Sequence, residues 1–284
     1  MMTRFARRTL IAGAAALIAA PGLLRAAEPI RLGLTPVFLD NDAEVIARLR
    51  AALGTGSGRA IELVQRRTYQ EVTGMLLEGA VDAAWLCGFP FLQHEPALAL
   101  LGVPVWRGAP LYQSYLIVGR DDPAAALPDL QGGTHAFSDP DSNSGWLITA
   151  SDLARIGARP EAFFLRTLFA YGHRNVVRAV AGGLTRSGSV DGYVWEALAG
   201  VEPGLTAQTR VIGRSEELGF PPFVTRRERV DDPAVTALRG ALLGLSGTAE
   251  GQAALSLLQL DGVVPGEAAL FDGIRARMRD VQAG

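Results

Sequence analysis

The chain has 284 residues, of which 49% are hydrophobic and 20% charged, a composition that supports a substantial core and favours no disordered segment. Its 27 basic residues against 29 acidic ones give a net charge of −2, which argues against a nucleic-acid partner because such a partner needs a clustered basic face. Cys87 is the only cysteine, so no disulfide can form within the chain and stability has to come from packing.

The first 27 residues predict an export signal. Arg7 and Arg8 precede an apolar run at 10–24, and the small residues Ala26 and Ala27 follow it. That run is about 15 residues long, shorter than the ~20 that cross a bilayer. The paired arginines favour a twin-arginine signal, with an ordinary secretory signal as the alternative. Cleavage near Ala27 would release a soluble chain into the bacterial periplasm.

Strand-like and helix-like segments then alternate along the chain. The pattern predicts a strand at 30–34, a helix at 42–53, a flexible turn at 54–58, a strand at 61–65, a helix at 69–78 and an apolar strand at 81–86. This βαβαβ order with buried strands predicts a parallel sheet covered by helices on both faces. Ligands of such sheets bind beyond the carboxyl ends of the strands, which here are followed by loops at 35–41 and 87–91.

A second unit of the same kind follows. Its predicted elements are a long strand at 112–118, a strand at 135–137, a helix after Ser144, a strand at 190–194, extended runs at 209–212 and 223–224, and helices between 234 and 278. Because the chain crosses twice between the units, we expect two lobes with a hinged ligand cleft between them. The expected boundaries place 28–116 and 222–284 in lobe 1 and 117–221 in lobe 2.

A turn rich in hydroxyl and amide groups is the main candidate for a binding site. Ser142, Asn143 and Ser144 run directly into an apolar, helix-periodic segment at 147–156. Unpaired backbone N–H groups and hydroxyls at a helix start form a seat for a tetrahedral anion. Serine also caps many helices, so capping alone is the alternative for Ser142 and Ser144.

Five segments occur in a characteristic order along the chain. They are Tyr69 at a helix start, GAVDAAW at 79–85 with Gly88, YQSYLIV at 112–118, the turn at 139–145, and VDGY at 190–193. The ordered set resembles the periplasmic solute-binding proteins of ABC importers for phosphonate, phosphite and phosphate. The resemblance implies a two-lobed α/β fold of the type II periplasmic-binding class, each lobe a mainly parallel sheet flanked by helices. It also implies a monomer without a cofactor that holds its ligand unchanged and delivers it to a permease in the inner membrane.

The resemblance also indicates which residues hold the ligand. In that family the anion lies on the hydroxyl-rich helix start and contacts a histidine, while tyrosines close over it. Carried over to this chain, the ligand-binding residues are Tyr69, Tyr112, Ser142, Asn143, Ser144, His173 and Asp191. Asn143 stands where the family more often has a small hydroxyl residue, so the resemblance leaves the identity of the anion open.

Several of these residues have a second interpretation. The two tyrosines could be core aromatics, and His173 could be an exposed turn residue instead of a protonatable donor. Asp191 would repel an anion, so it either binds a protonated or amino group of the ligand or orients the tyrosines. Glu196 is a weaker candidate for the same task and is expected to be a solvated surface acid.

Other functions are weighed against the receptor. Ser144, His173 and Asp191 are the residue types of a hydrolytic triad, but the Gly-x-Ser-x-Gly elbow is missing, so we expect no enzyme. Cys87 is expected to be a small core residue, and the three histidines are too scattered to predict a metal site. Two alternatives keep the fold: a ligand sensor for a membrane histidine kinase, and a receptor for an anion without phosphorus, such as a sulfonate.

Overall fold

The structure is a computed structural model that describes residues 28–36 and 43–283. The predicted export signal and most of the predicted loop at 35–41 lie outside these residues. Within the described ranges, no helix is long and apolar enough to cross a membrane.

The first half of the chain has the predicted βαβαβ order. Its elements are β1 (Ile30–Leu34), α1 (Ala43–Ser57), β2 (Ile61–Gln65), α2 (Tyr69–Leu77), β3 (Ala83–Trp85), α3 (Gly88–Gln93) and β4 (Leu98–Val105). β1 pairs in parallel with both β2 and β3, so the predicted parallel unit is confirmed. α2 packs tightly on this unit, because a side chain at Gly33 in β1 would place its Cβ 2.9 Å from Val72.

The start of α2 is fixed by its own sequence. The Thr68 hydroxyl accepts a hydrogen bond from the Glu71 N–H, and the Glu71 carboxylate accepts one from the Thr68 N–H. This capping box satisfies two N–H groups that the helix would otherwise leave unpaired. It therefore holds Tyr69 at the first position of α2.

The next part of the chain forms a second sheet. Its elements are β5 (Leu111–Tyr112), β6 (Ser114–Gly119), β7 (Thr134–Phe137), a π turn (Asn143–Leu147), α4 (Ile148–Arg155), α5 (Pro160–Phe163), β8 (Arg166–Phe169), α6 (His173–Ala181), β9 (Ser187–Asp191), α7 (Gly192–Val201), α8 (Pro203–Thr206) and β10 (Thr209–Arg214). The strand order of the five-stranded sheet is β10–β6–β9–β7–β8. β7 runs parallel to β8 and β9, whereas β6 runs antiparallel to β9 and β10.

The chain then returns to the first sheet. The last elements are β11 (Leu218–Gly219), β12 (Phe223–Arg226), α9 (Pro233–Leu243), α10 (Ala249–Leu258), β13 (Gly262–Val264) and α11 (Asp272–Ala283). β12 inserts between β3 and β4 and is antiparallel to both, which gives a six-stranded sheet of order β13–β4–β12–β3–β1–β2. β11 pairs with β5, so the two crossing segments are joined to each other.

Four details of the sequence interpretation need correction. The sheets are mixed and not mainly parallel, because β6, β12 and β13 pair antiparallel with their neighbours. The predicted strand at 112–118 is broken at Gln113, between β5 and β6. The strand predicted at 190–194 ends at Asp191, which caps α7. The predicted turn at 54–58 is helical as far as Ser57, and the chain turns only at Gly58, whose φ is +64°.

The expected lobe boundaries differ from the strand pairing at one point. β6 pairs with β9 from Ser114 to Val118, so the boundary expected after residue 116 falls inside a strand of the second sheet. The first crossing therefore lies near Gln113. The second crossing lies between β11 and β12, the region where the other boundary, after residue 221, was expected. We keep the division into two lobes as a proposal with the first boundary moved.

Candidate ligand-binding site

Four helices begin at one place between the two sheets. α2 begins at Tyr69, the π turn leading into α4 follows Ser142, α6 begins at His173, and α7 follows Asp191. Each of these four residues is at most 2% exposed. Helix N-termini carry partial positive charge and unpaired N–H groups. Their convergence favours a negatively charged ligand at this place.

His173 connects the two sides of this site. Its Nδ1 accepts a hydrogen bond from the Asp191 N–H at 3.0 Å, and its Nε2 lies 3.2 Å from the Tyr69 hydroxyl. Burial lowers the pKa of His173 to about 3, so the imidazole is neutral. Because Nδ1 is an acceptor, Nε2 carries the proton. His173 is therefore a buried neutral donor, and the alternative of an exposed turn residue is wrong.

The π turn holds two buried polar atoms that have no hydrogen-bond partner of normal geometry among the described residues. The Asn143 Nδ2 donates to the Tyr112 hydroxyl at 2.8 Å, but the Asn143 Oδ1 is one of these two atoms. The other is the Ser144 Oγ, although the Ser144 carbonyl accepts from the Ser114 hydroxyl at 2.7 Å. A buried polar atom left unpaired costs about 1–3 kcal/mol. A ligand oxygen can accept from the Ser144 hydroxyl, whereas the Asn143 Oδ1 is itself an acceptor and needs a donor on the ligand.

Ser142 has a structural task in the same turn. Its Oγ accepts a hydrogen bond from the Gly145 N–H at 2.9 Å and so caps the π turn. The turn is tight, because a Cβ at Gly145 would lie 1.8 Å from the Ser138 Oγ. Only glycine fits there without displacing its neighbours. The structure thus shows the capping role of Ser142, and its ligand role stays a prediction.

Asp191 contributes a buried carboxyl group to this site. Its Oδ1 accepts from the Val194 N–H at 3.3 Å as the cap of α7. Burial raises the pKa of Asp191 to about 7, although the N–H groups at the start of α7 act against this shift. Near neutral pH the carboxyl is therefore partly protonated. A protonated Asp191 can donate to an anion instead of repelling it.

Tyr69 and Tyr112 keep their protons. Both are 1% exposed, and burial raises the pKa of each well above its ordinary value, so both hydroxyls remain donors. Tyr112 also packs against Phe220, with ring centroids 5.7 Å apart. The two tyrosines are thus core aromatics whose hydroxyls contact other site residues, and the two interpretations given by the sequence are compatible.

Two residues join the site without having been predicted. Cys87, which was expected in the core, is buried, yet its Sγ accepts a hydrogen bond from the Asn143 N–H at 3.2 Å. Asp139 accepts from the Tyr69 N–H at 3.2 Å and from the Asp141 N–H at 2.9 Å. The signal that could have found Cys87 is its place directly beyond β3, in a loop where ligands were expected. Glu196 lies elsewhere and pairs with Tyr115 and Arg107.

The arrangement does not assemble a hydrolytic triad. The Ser144 Oγ has no hydrogen-bond partner among the described residues. The His173 Nδ1 accepts its hydrogen bond from the backbone N–H of Asp191 and is not paired with the Asp191 carboxylate. The proton of the neutral ring is therefore on Nε2, so Nε2 cannot act as a base. The described part of the chain also contains no cluster of three His, Cys, Asp or Glu side chains that could hold a metal ion.

Comparison with known proteins assigns the family. A family model described as the periplasmic substrate-binding protein of phosphonate ABC transporters matches residues 32–271. The chain belongs to this family. The predicted family is thus confirmed, and no curated protein matches the chain significantly.

Solved structures support the fold. The binding protein component of an ABC phosphonate transporter from Pseudomonas aeruginosa is 22% identical with a TM-score of 0.81, over 89% of this chain and 87% of that one. PhnD1 from Prochlorococcus marinus in complex with methylphosphonate is 15% identical with a TM-score of 0.77, over 89% and 98%. The alkanesulfonate-binding protein from Xanthomonas axonopodis bound to MOPS is 19% identical with a TM-score of 0.61, over 91% and 94%. The predicted type II periplasmic-binding fold is confirmed.

Proposed function

We propose that this chain captures a small oxyanion of the phosphonate, phosphite or phosphate class between its two sheets and delivers it to the permease of an ABC importer. The observation that carries the proposal is the convergence of four helix starts on buried, neutral donors. One of these donors, the Ser144 hydroxyl, has no hydrogen-bond partner of normal geometry among the described residues. Each helix start stabilises negative charge by about 0.3–2 kcal/mol without a cationic side chain.

The proposed order of the binding steps follows from the contacts that join the two sheets. The anion first meets two donors at the helix starts of the second sheet, namely the Ser144 hydroxyl and the His173 Nε2. The tyrosines then close over it. In the present structure Tyr69 contacts His173 and Tyr112 contacts Asn143, so the side chains already meet across the site. The ligand stabilises this closed arrangement only if it binds it better than the open one.

The site of action is the second part of the proposal. We propose that residues 1–27 direct export, by the twin-arginine route suggested by Arg7 and Arg8, and that the mature chain works in the periplasm as a non-enzymatic monomer. Mass spectrometry of the protein from the periplasm would give the first residue of the mature chain. A mature protein that begins near Glu28 supports the proposal, and an uncleaved cytoplasmic protein contradicts it.

A thermal-shift screen of residues 28–284 tests the ligand class. The anions are phosphite, methylphosphonate, aminoethylphosphonate, phosphate, sulfate and taurine. A ligand at one hundred times its dissociation constant should add about 2.7 kcal/mol of stability. A shift with a phosphorus anion supports the proposal, a shift with taurine alone supports the sulfonate alternative, and no shift at all contradicts it.

Import and sensing share this binding step, and a growth experiment separates them. If the chain is an importer component, deleting its gene abolishes growth on the ligand as the sole phosphorus source, even when the permease and ATPase are expressed constitutively. Unimpaired growth in that strain would favour the sensor for a histidine kinase.

A further inference from the structure

Cys87 borders the proposed site, but the binding steps described above do not involve it. It follows β3, occupies the N-cap position of α3 without a capping hydrogen bond from its side chain, and is 2% exposed. Its Sγ accepts the hydrogen bond of the Asn143 N–H at 3.2 Å. That N–H is the first one of the π turn, which is where an anion at this helix start would bind. The sulfur therefore lies beside the position proposed for the ligand.

The sulfur is a neutral thiol in this environment. Burial raises the pKa of Cys87 to about 11, against the N–H groups of Phe89 and Asn143, and the charge of Asp191 raises it further. The thiol therefore remains protonated at physiological pH. A thiol is a weak hydrogen-bond donor and its sulfur a weak acceptor. Cys87 thus offers a ligand a polarisable surface but no strong partner.

The other residues that border the site, in contrast to Cys87, offer hydrogen bonds to ligand oxygens. The Ser144 Oγ is buried and has no hydrogen-bond partner of normal geometry among the described residues, and His173 and the two tyrosines present N–H and O–H donors. Ligand oxygens on these sides exchange their water for hydrogen bonds. An oxygen directed at Cys87 would lose its water and receive little in return, which is costly for a charged group.

We propose that Cys87 is a specificity-determining residue, which places the non-oxygen substituent of a three-oxygen anion against its sulfur and disfavours phosphate. This inference rests on the proposed function. The hydrogen of phosphite or the methyl group of methylphosphonate packs on sulfur at little cost. The fourth oxygen of phosphate does not.

Calorimetric titrations at one pH test the inference on the wild type, Cys87→Ser and Cys87→Ala. The wild type should bind methylphosphonate at least about tenfold more tightly than phosphate, because one hydrogen bond to a charged group is worth about that factor. In Cys87→Ser the new hydroxyl can pair with the fourth oxygen, so the preference should fall by about tenfold. Cys87→Ala removes the acceptor of the Asn143 N–H, so this N–H can donate to the fourth oxygen and the preference should fall there as well.

The outcomes separate this inference from the function on which it rests. If the wild type binds none of the phosphorus anions, the proposed function fails. If it binds phosphate and methylphosphonate equally, the function stands and the role of Cys87 is overturned, a result that needs no variant to fold. A Cys87→Ser or a Cys87→Ala protein that keeps the wild-type preference would also overturn the role.

Discussion

Replacing Ser144 with alanine should weaken ligand binding without destabilising the protein. The Ser144 Oγ is buried and has no hydrogen-bond partner of normal geometry among the described residues, so its removal breaks no such bond within them. It also removes a desolvated hydroxyl whose burial costs about 1–3 kcal/mol. With an oxyanion bound, the same hydroxyl donates to a charged group, which contributes about 1.5–3 kcal/mol. We therefore expect the dissociation constant to rise by about 10- to 150-fold.

Ser142→Ala is the matched control for this prediction. It is the same chemical change two residues earlier, but the Ser142 Oγ accepts the Gly145 N–H at 2.9 Å. Loss of such a cap costs about 0.5–2 kcal/mol. The Ser142 variant should therefore lose unfolding free energy, whereas the Ser144 variant should keep it or gain.

Urea unfolding of both free variants and calorimetric titration with the anion found in the screen measure the two effects. Equal slopes of the unfolding curves would show that the denatured states are comparable. A Ser144→Ala protein that loses as much unfolding free energy as Ser142→Ala, or that binds the anion with wild-type affinity, would refute this prediction. Either result would make the Ser144 hydroxyl a structural group.

Three further predictions concern other parts of the site. Tyr69→Phe should weaken binding by about two- to tenfold, because the hydrogen bond between the Tyr69 hydroxyl and the neutral His173 in the closed state is lost. Wild-type affinity in calorimetry would contradict this prediction. Asp191→Asn keeps a good cap but removes a carboxyl that holds its proton in the folded state up to about pH 7. The folded wild type binds this proton between about pH 4 and pH 7 while the unfolded chain has lost it, so the stability contribution falls as pH rises. Relative to the wild type, the unfolding free energy of the variant, measured with urea, should therefore rise by about 2–4 kcal/mol from about pH 4 to pH 7. A difference that stays constant over this pH range would contradict the prediction. Gly145→Ala should lower the melting temperature and abolish binding, since its Cβ would overlap Ser138, whereas Gly240→Ala, with no atom within 4 Å, should do neither.

The local parts of the fold could be predicted from the sequence. The strands at Ile30–Leu34 and Ile61–Gln65 have the predicted bounds, because each apolar run ends at polar or turn-forming residues. The end of α1 could not be predicted in the same way. Gly56 indicates a turn locally, but it lies where a Cβ would come within 3.0 Å of Ala241 in α9, so its missing side chain permits close helix packing.

Sheet pairing was the main feature that the sequence did not reveal. The run at 112–118 is interrupted only by the polar residues Gln113 and Ser114, and these alone do not show that the chain changes sheets at Gln113. The antiparallel partners of β12 are more than a hundred residues away in sequence. Pairing over such distances depends on the whole chain.

The part of the candidate site whose chemistry depends on neighbouring residues in the sequence could be predicted. A hydroxyl-rich helix start indicates donors wherever the helix goes, which is how the turn at Ser142 was found. Cys87 and Asp139 were missed because their contacts span 56 and 70 residues. A thiol after an apolar strand is usually a core residue, and only the second sheet gives it a polar neighbour.

A crystal structure of the mature chain with methylphosphonate would show whether the anion binds where the helix starts converge. We expect one anion between the sheets, with its oxygens at hydrogen-bond distance from the Ser144 hydroxyl, the His173 Nε2 and a tyrosine hydroxyl. An anion bound at another surface, or a site in which these donors keep their partners in the free protein, would contradict this expectation.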